Sequence, residues 1–468
     1  MKRVIYNKVE KILKGLLLLL TVTLCLPALT SCNDDDDSQS TPMTITAIYL
    51  EDVDADDGVT DRLVEYARLG NLLRIEGTGF KGLKYIYVNG YDTYFNNALM
   101  TDNNVWVTLD TDTPIEDAEE DVRNTIQFVK DNTSTTYSFT IRAASPGVSS
   151  IDNTLAQAGE TVTVYGSNLH ETTTITLPDG TIVTSGIEIG EDGDWYSFTM
   201  PSGYDSSYSG SIVSEGAHGT AKTPPYFYFN DCYIINYDDL GTFTSWSATY
   251  TEDELEEDPL NSGRGTCVMI IPQSRIDEGG VKAGVTLPGF WTLGNDNADD
   301  DWNRMTAYIP GTASTDSVAL QFDVYVPEEW DLTGQVEITL QNNLSTYGYG
   351  SADTTPSDDY YHQAYAWVPW MDRETGEHEA FTTGERWETI TIPLSEFGNY
   401  TDTDTDWTFQ NVIDDRNAGS YINFGVLFTN TDIEFSDDIS YPASLTTQEI
   451  YLDNFRIVPC NTITVSDY

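Results

Sequence analysis

Two stretches of the chain share one pattern: GNLLRIEGTGF at residues 70–80 and GETVTVYGSNL at residues 159–169. Each has a glycine, a short run with apolar residues at alternate positions, a second glycine, two small or polar residues and a large apolar residue. Alternation with a period of two is typical of a β-strand, and the glycines mark turns. The repeat therefore predicts two similar β-domains in tandem, at about residues 43–142 and 143–229.

The last part of the chain, about residues 230–468, differs from the two repeats. It holds eight of the ten tryptophans in the sequence. Runs such as residues 318–326, 336–340 and 450–458 have the pattern of strands, and helical periodicity is scarce throughout. A β-sandwich of about 240 residues is a normal size for one domain. We therefore predict an all-β chain whose two repeats precede one large, jelly-roll-like β-sandwich.

The N-terminus has the features of a secretory signal. Basic residues precede an apolar run at residues 15–27, which is too short for the roughly 20 residues of a membrane-spanning helix. The following Leu29-Thr30-Ser31-Cys32 resembles a bacterial lipobox, in which the cysteine becomes the lipid-modified first residue. We expect a signal peptide over residues 1–31 and lipidation of Cys32. The alternative is an ordinary signal peptide with a chance cysteine.

Acidic residues dominate the mature chain. A run of four aspartates follows Asn33, and such a run stays solvated, which predicts an acidic tether over residues 32–42. Loss of the signal removes five basic residues and Glu10, so the formal charge changes from −54 to about −58. A charge of this sign repels nucleic acid, anionic lipid and acidic polysaccharide. A neutral partner is therefore favoured.

The sequence lacks the motifs of common catalytic and metal sites. The four histidines are scattered without zinc-ligand spacing, and neither a Gly-x-Ser-x-Gly elbow nor a phosphate-binding loop occurs. We expect no enzyme and no cofactor, although the acidic loops at residues 295–301 and 401–406 could hold structural calcium. The Asp-rich loop at residues 51–58 fails the EF-hand pattern. Cys232 and Cys460 could form a disulfide; free buried thiols are the favoured alternative.

The stretch YHQAYAWVPW at residues 361–370 carries the strongest indication of a binding site. With the period of a strand, its rings and one amide alternate with small or apolar residues. We expect the rings to face solvent and to stack on flat ligands, with amides nearby to bind hydroxyls. The predicted glycan-binding residues on or beside this face are Trp302, Trp330, Gln341, Asn343, Tyr361, Gln363, Tyr365, Trp367 and Trp370.

Two family resemblances extend this interpretation. The repeated pattern resembles the immunoglobulin-like IPT/TIG domain. A lipobox, an acidic run, two repeats and a tryptophan-rich terminal sandwich together resemble the B-type surface glycan-binding proteins of Bacteroidetes polysaccharide utilisation loci. The terminal region resembles their xyloglucan-binding domain. That resemblance implies non-catalytic capture of polysaccharide by a lipid-anchored protein on the outer membrane, beside a TonB-dependent transporter.

The sequence leaves the ligand open. A neutral β-linked plant polymer such as xyloglucan, β-glucan or β-mannan suits a flat platform of rings. Two other functions remain as alternatives: a surface endo-glycanase, whose acid and base could come from distant strands, and a protein-binding adhesin.

Overall fold

The computed structural model describes residues 40–52, 58–115, 117–238, 255–270, 280–292, 300–341, 364–419, 422–436 and 438–465. They belong to two compact units, one ending at Arg142 and one beginning at Ala143. Strands predominate in both, which confirms the predicted all-β fold. Within the described ranges, no helix has the length and hydropathy to cross a membrane.

The N-terminal unit consists of short antiparallel strands in two main sheets. Their orders are β2-β1-β4-β7 and β6-β5-β8-β9, and β10 pairs with β3 in parallel. The strands are β1 (Thr44–Glu51), β2 (Asp61–Leu63), β3 (Tyr66–Arg68), β4 (Leu72–Thr78), β5 (Tyr85–Val88), β6 (Tyr91–Thr93), β7 (Asn104–Thr108), β8 (Thr125–Val129), β9 (Ser134–Ser138) and β10 (Thr140–Arg142).

The C-terminal unit begins with a domain of the same plan. Its two sheets have the orders β11-β12-β16-β15 and β14-β13-β17-β18. The strands are β11 (Gly147–Ile151), β12 (Thr161–Ser167), β13 (Thr172–Thr176), β14 (Ile182–Val183), β15 (Glu188–Ile189), β16 (Trp195–Thr199), β17 (Val213–Gly216) and β18 (Gly219–Lys222).

The second glycine of the sequence repeat has the same packing role in both domains. A Cβ on Gly77 would lie 2.0 Å from the Thr44 carbonyl oxygen and 2.9 Å from the Phe80 ring. A Cβ on Gly166 would meet the Gly147 carbonyl oxygen at 2.0 Å and Leu169 at 3.1 Å. Only glycine fits where the strand crosses this closely under a buried apolar side chain. The repeated residues therefore encode one local structure twice.

The rest of the C-terminal unit is a sandwich of two sheets. Sheet I has the order β20-β21-β30-β23-β26, with β19 also paired to β30, and sheet II has the order β22-β27-β24-β25. The elements are β19 (Tyr233–Ile235), β20 (Glu256–Glu257), β21 (Thr266–Met269), β22 (Val285–Trp291), β23 (Val318–Tyr325), β24 (Gln335–Thr339), β25 (Ala364–Trp367), β26 (Glu388–Pro393), helix α1 (Phe409–Ala418), β27 (Gly425–Asn430), β28 (Ile433–Glu434), β29 (Ser440–Tyr441) and β30 (Tyr451–Pro459).

The core of the sandwich lies between sheets I and II. From β23, Leu320, Phe322 and Val324 enter it, as their alternation predicts, and each is fully buried. Val336 and Ile338 of β24 enter it from the other side. Burial of this apolar surface, at about 25 cal/mol per Å², is the main contribution that holds the sheets together.

The outer face of sheet I is covered by the preceding domain. Arg264 donates to Asp323 of β23 over 2.7 Å and to Asn153 of that domain over 2.7 Å. The Thr389 hydroxyl of β26 donates to Asp323 and accepts from the Thr154 backbone N–H, at 2.9 and 3.0 Å. Since the side chains of Arg264 and Asp323 are at most 2 % exposed, this face is an internal interface. The predicted domain boundary between residues 229 and 230 falls within this unit and stays a prediction.

Candidate functional site

The outer face of sheet II points away from the core. We define it by the residues that alternate with the core positions of each strand: Trp291, Gln335, Glu337, Thr339, Ala364, Ala366, Gly425, Leu427 and Thr429. The strand register places them in rows, one of which runs Trp291, Gly425, Thr339, Ala364. All of the side chains on this face are at most 8 % exposed, so a ligand would reach them only if the face opens.

Trp291 is the aromatic residue of the outer face. It forms a small apolar cluster with Leu427, separate from the main core. The ring lies directly over Gly425, where an added Cβ would be 1.9 Å from the indole carbons. Glycine at this position therefore lets a flat indole lie against the sheet. The ring is 2 % exposed, so it could stack on the apolar side of a planar ligand only with this face uncovered.

Polar groups lie beside that ring. Glu337 is 1 % exposed and accepts a long hydrogen bond, 3.4 Å, from the Thr429 hydroxyl. Thr339 is 3 % exposed, and its hydroxyl has no hydrogen-bond partner among the described residues. A buried hydroxyl without a partner costs about 1–3 kcal/mol. The outer face therefore combines a ring, a carboxylate acceptor and an unsatisfied hydroxyl, which are the groups that bind sugar hydroxyls and C–H faces.

Helix α1 is held beside the end of β24 by a buried ion pair. Arg416 pairs with the Asp300 carboxylate and donates to the carbonyls of Asp300 and Leu340, the latter over 2.6 Å. Its guanidinium lies 4.8 Å from the centre of the Trp302 ring. Burial raises the pKa of Asp300, and the positive charge of Arg416 opposes that rise. The helix is thus fixed to Asp300 and to Leu340, which directly follows β24.

The predicted orientation of Tyr365 and Trp367 is wrong. In β25 these rings face the core, whereas Ala364 and Ala366 lie on the outer face. The Trp367 ring meets Phe322 of sheet I edge-on, with centroids 5.3 Å apart. The reason is volume: because the strand pairs Trp367 with Val336 and Tyr365 with Ile338, the rings fill the space between the sheets, and the alanines are too small for it.

Three other predicted tryptophans are also core residues, not walls of a platform. Trp330 is fully buried and donates to the Thr333 carbonyl. Trp370 is 1 % exposed, and its indole N–H donates to the Gly334 carbonyl over 3.1 Å. Trp302 is 1 % exposed and donates to Asp300. Each indole N–H has a partner inside the protein, as buried tryptophans require.

The remaining predicted residues have different outcomes. Gln341 is partly exposed at the end of β24, where its amide lies against Gly419 at the end of α1. Asn343, Tyr361 and Gln363 lie outside the described residues, as does Cys32, so their roles stay predictions. Glu337 and Thr339 do face outward, as the alternation of β24 predicts. Glu337 and Thr339 were not among the predicted binding residues, and of the predicted polar residues only Gln341 lies within the described part of the chain.

Trp291 is the functional candidate that sequence reasoning undervalued. In the sequence it stands just before the acidic loop at residues 295–301. The register of β22 shifts between Pro288 and Phe290, so simple alternation does not assign the side of the sheet on which Trp291 lies. The signal that could identify it is a pair of residues: a tryptophan at the end of β22 and a glycine, Gly425, at the matching position of β27.

Cysteines and acidic loops add no metal or redox centre within the described residues. Cys232, Cys267 and Cys460 are free thiols, so the disulfide between Cys232 and Cys460 does not form. Burial raises the pKa of the Cys232 and Cys460 thiols to about 12. Among the described residues, no group of three or more histidine, cysteine or acidic side chains could hold a metal ion.

Comparison with known families identifies the sandwich. Residues 227–459 match the family described as the xyloglucan-binding domain of surface glycan-binding protein B. The chain belongs to this family through its C-terminal half. The match begins close to β19 and ends at the last residue of β30, so it covers both sheets and the outer face.

Two relatives extend the comparison to the other domains. An IPT/TIG domain-containing protein of Bacteroides ovatus is 27 % identical over 320 residues, which are 67 % of this chain and 52 % of that protein. The chain thus spans about half the length of this curated relative. A crystal structure of a type B surface glycan-binding protein from Prevotella bryantii has a TM-score of 0.60 and 19 % identity, covering 90 % of this chain and all of that one. The family and this structure are named for glycan binding, not for catalysis.

Proposed function

We propose that this protein is a non-catalytic, lipid-anchored cell-surface protein that captures a neutral β-linked polysaccharide on the outer face of its sandwich. Cys32 would carry the lipid after removal of residues 1–31, and the immunoglobulin-like domains would act as spacers at the outer membrane. A TonB-dependent transporter is the partner that would take up the captured glycan. No cofactor is required, because binding needs only rings, hydroxyls and carboxylates.

The observation that carries this proposal is the match of residues 227–459 to a glycan-binding domain family. The outer face supports it chemically, because Glu337 and Thr339, whose hydroxyl has no partner among the described residues, lie on the same face as the Trp291 ring. The formal charge of −54 favours neutral chains such as xyloglucan or mixed-linkage β-glucan over uronic or sulfated ones. A few such contacts give affinities in the micromolar to millimolar range, about −8 to −4 kcal/mol. Many anchored copies on one polymer would then bind far more tightly.

Affinity electrophoresis of the purified chain tests the function. Gels would contain xyloglucan, mixed-linkage β-glucan, β-mannan, laminarin or, as the anionic control, polygalacturonate. We expect at least one neutral polymer to retard the protein and the anionic polymer to leave its mobility unchanged. If every neutral polymer leaves it unretarded, the proposal is wrong. New reducing ends after incubation would instead favour the endo-glycanase.

Two substitutions test the location. Trp291→Ala removes the ring, and Gly425→Ala adds a Cβ where the indole now lies. We expect each to weaken binding of the retarding glycan about tenfold in calorimetry, since one stacked ring contributes about 1–3 kcal/mol. The matched control is Tyr308→Ala, which removes a ring that is 53 % exposed elsewhere in the sandwich. Normal affinity in both outer-face variants would exclude this face and leave the function itself intact.

A further inference from the structure

A separate cavity lies at the end of the sandwich where β23 begins and β26 ends. Its volume is about 290 Å³, and its walls come from the short 3-10 helices Thr315–Ser317 and Leu394–Glu396 and from residues 400–407. We call it the Trp407 pocket, after its one tryptophan. It belongs to the sheet I side of the domain and shares no residue with the outer face of sheet II.

Trp407 is held firmly in this pocket. Its carbonyl accepts from the Thr315 N–H over 3.1 Å, and its own N–H donates to the Thr405 carbonyl over 3.0 Å. The Tyr400 ring packs edge-on against it, with centroids 5.2 Å apart. Unlike the tryptophans of the core, Trp407 is partly exposed. Its indole N–H has no hydrogen-bond partner within the described residues.

The acidic loop that forms one wall is ordered by its own hydrogen bonds. The Asp402 carboxylate accepts from the Asp404 N–H over 3.0 Å and from the Thr405 hydroxyl over 3.2 Å. A wall that is fixed before a ligand arrives loses little conformational entropy on binding. The pocket is therefore a preformed concave surface rather than a loose loop.

The lining selects a class of ligand by its charge and polarity. Four carboxylates, those of Asp316, Glu396, Asp402 and Asp406, line the pocket together with several hydroxyls, and the lining includes no basic side chain. An anion would be repelled. A cation would need converging ligands, and the described residues contain no group of three or more that could hold a metal. A neutral polyol satisfies both limits, because its hydroxyls donate to carboxylates and its C–H face stacks on the indole.

We infer that the Trp407 pocket is a second carbohydrate-binding site that takes a single neutral sugar unit. The cavity is at the lower end of the range for ligand pockets, about 300–1,000 Å³, so it suits one sugar ring rather than a chain. This inference rests on the proposed function in taking the ligand to be a unit of the captured polysaccharide.

The position of α1 relates the two sites. Its N-cap, Thr408, follows Trp407 directly, and Gly419 at its other end contacts Gln341 beside the outer face. Ten helical residues span about 15 Å. A polymer bound at the outer face could therefore extend along the helix and place a further unit or a branch in the pocket.

Calorimetry with the full-length chain and the polysaccharide that retards it tests this second site. We expect Trp407→Ala to weaken binding about five- to tenfold, as loss of one stacking ring does. Asp406→Ala, which changes only an exposed lining residue, should weaken it about two- to threefold through a lost hydrogen bond. Tyr308→Ala is again the matched control and should bind normally. If both pocket variants bind as tightly as the control, the inference is wrong and the proposed function stands.

A direct measurement keeps the inference testable if no polysaccharide binds. The indole N–H signal of Trp407 would be assigned in nitrogen-15 spectra by its loss in Trp407→Phe. We expect glucose, xylose or galactose to shift that signal at about 100 mM, a concentration that saturates a millimolar site. No shift with any of the three sugars overturns the inference. A shift with calcium chloride but not with sugars also overturns it, because the pocket would then be a cation site.

Discussion

The two outer faces of the sandwich look alike in sequence but differ in the structure. On sheet I, the outward positions carry Asp323 and Arg456. Asp323 pairs with Arg264, and Arg456 donates to the Thr154 hydroxyl of the preceding domain. On sheet II, they carry Glu337, Thr339 and Trp291, and one hydroxyl has no partner among the described residues. Polar residues on a strand therefore do not distinguish an internal interface from a binding face. What packs over them does: the preceding domain covers the outer face of sheet I, and both faces keep buried polar atoms without a partner among the described residues, such as Gln321 Oε1 and the Thr339 hydroxyl.

The inner faces of the two sheets, which form the core, differ from both outer faces. Trp367 packs against Phe322 between the sheets, although its strand pattern predicts a ring facing solvent. Substitutions on the inner face, on the covered outer face of sheet I and on the outer face of sheet II should therefore have three different effects.

The largest effect is expected for the inner face. Trp367→Ala removes a ring that is 6 % exposed, and we expect the C-terminal unit to lose about 3–5 kcal/mol of unfolding free energy because a cavity remains. Urea unfolding followed by fluorescence measures the change. Tyr308→Ala, the exposed control, should stay within about 0.5 kcal/mol. If the Trp367→Ala variant is stable but loses glycan binding, Trp367 is a binding residue, as the sequence predicts, and not a core residue.

A somewhat smaller effect is expected on the covered face of sheet I. Arg264→Met keeps the volume of the side chain but leaves Asp323 buried without its 2.7 Å partner. We expect a loss of about 3 kcal/mol in the same unfolding experiment. The matched control, Arg386→Met, removes an arginine that is 43 % exposed and pairs with Asp152, so it should cost less than about 1 kcal/mol. Equal losses would mean that the covered face behaves as ordinary surface.

The same face should make stability depend on pH. Burial, and then the charge of Asp323, raises the pKa of Asp453 well above its ordinary value. The folded state therefore holds a proton that the unfolded state releases at about pH 4. Stability should fall as the pH rises from that value towards the raised pKa, by up to about 1.4 kcal/mol per pH unit.

Asp453→Asn should flatten that part of the curve, measured as unfolding free energy against pH. Asp404→Asn, on an exposed loop, should leave the slope as it is in the unmodified protein. If Asp453→Asn keeps the full slope, Asp453 is not the group that binds the proton.

The smallest effect on stability is expected on the outer face of sheet II. Thr339→Val removes a hydroxyl without a partner, so stability should stay constant or rise by about 1 kcal/mol, while glycan affinity falls about fivefold. Thr429→Val is the control, because the Thr429 hydroxyl donates to Glu337, and it should cost about 1 kcal/mol. Unfolding and calorimetry on the same samples separate the two outcomes. If Thr339→Val binds glycan normally, its hydroxyl has no part in recognition.

Much of the fold could be predicted because its signals are local. The glycines at positions 77 and 166 and the apolar residues three positions later encode the same crossing in both immunoglobulin-like domains. The alternation of β23 and β24 correctly predicts which residues face the core, because each strand has one apolar side and one polar side.

The site was harder to predict because both sides of β25 carry apolar groups. In Ala364-Tyr365-Ala366-Trp367, alternation separates two sets of side chains but does not say which set faces the core. The face of Trp291 was hard to predict for a related reason, since the register of β22 shifts between Pro288 and Phe290.

The sequence by itself determined the all-β class, the tandem repeat and the polar character of the outer strand positions, because these depend on neighbours along the chain. Only the tertiary structure decided which faces are covered and which rings are buried. Those outcomes depend on the volume between two sheets and on the partners that Arg264, Asp323 and Trp367 find far away in sequence. Tyr365, Trp367 and Trp370 are thus core residues of the sandwich, and the preceding domain covers the outer face of sheet I.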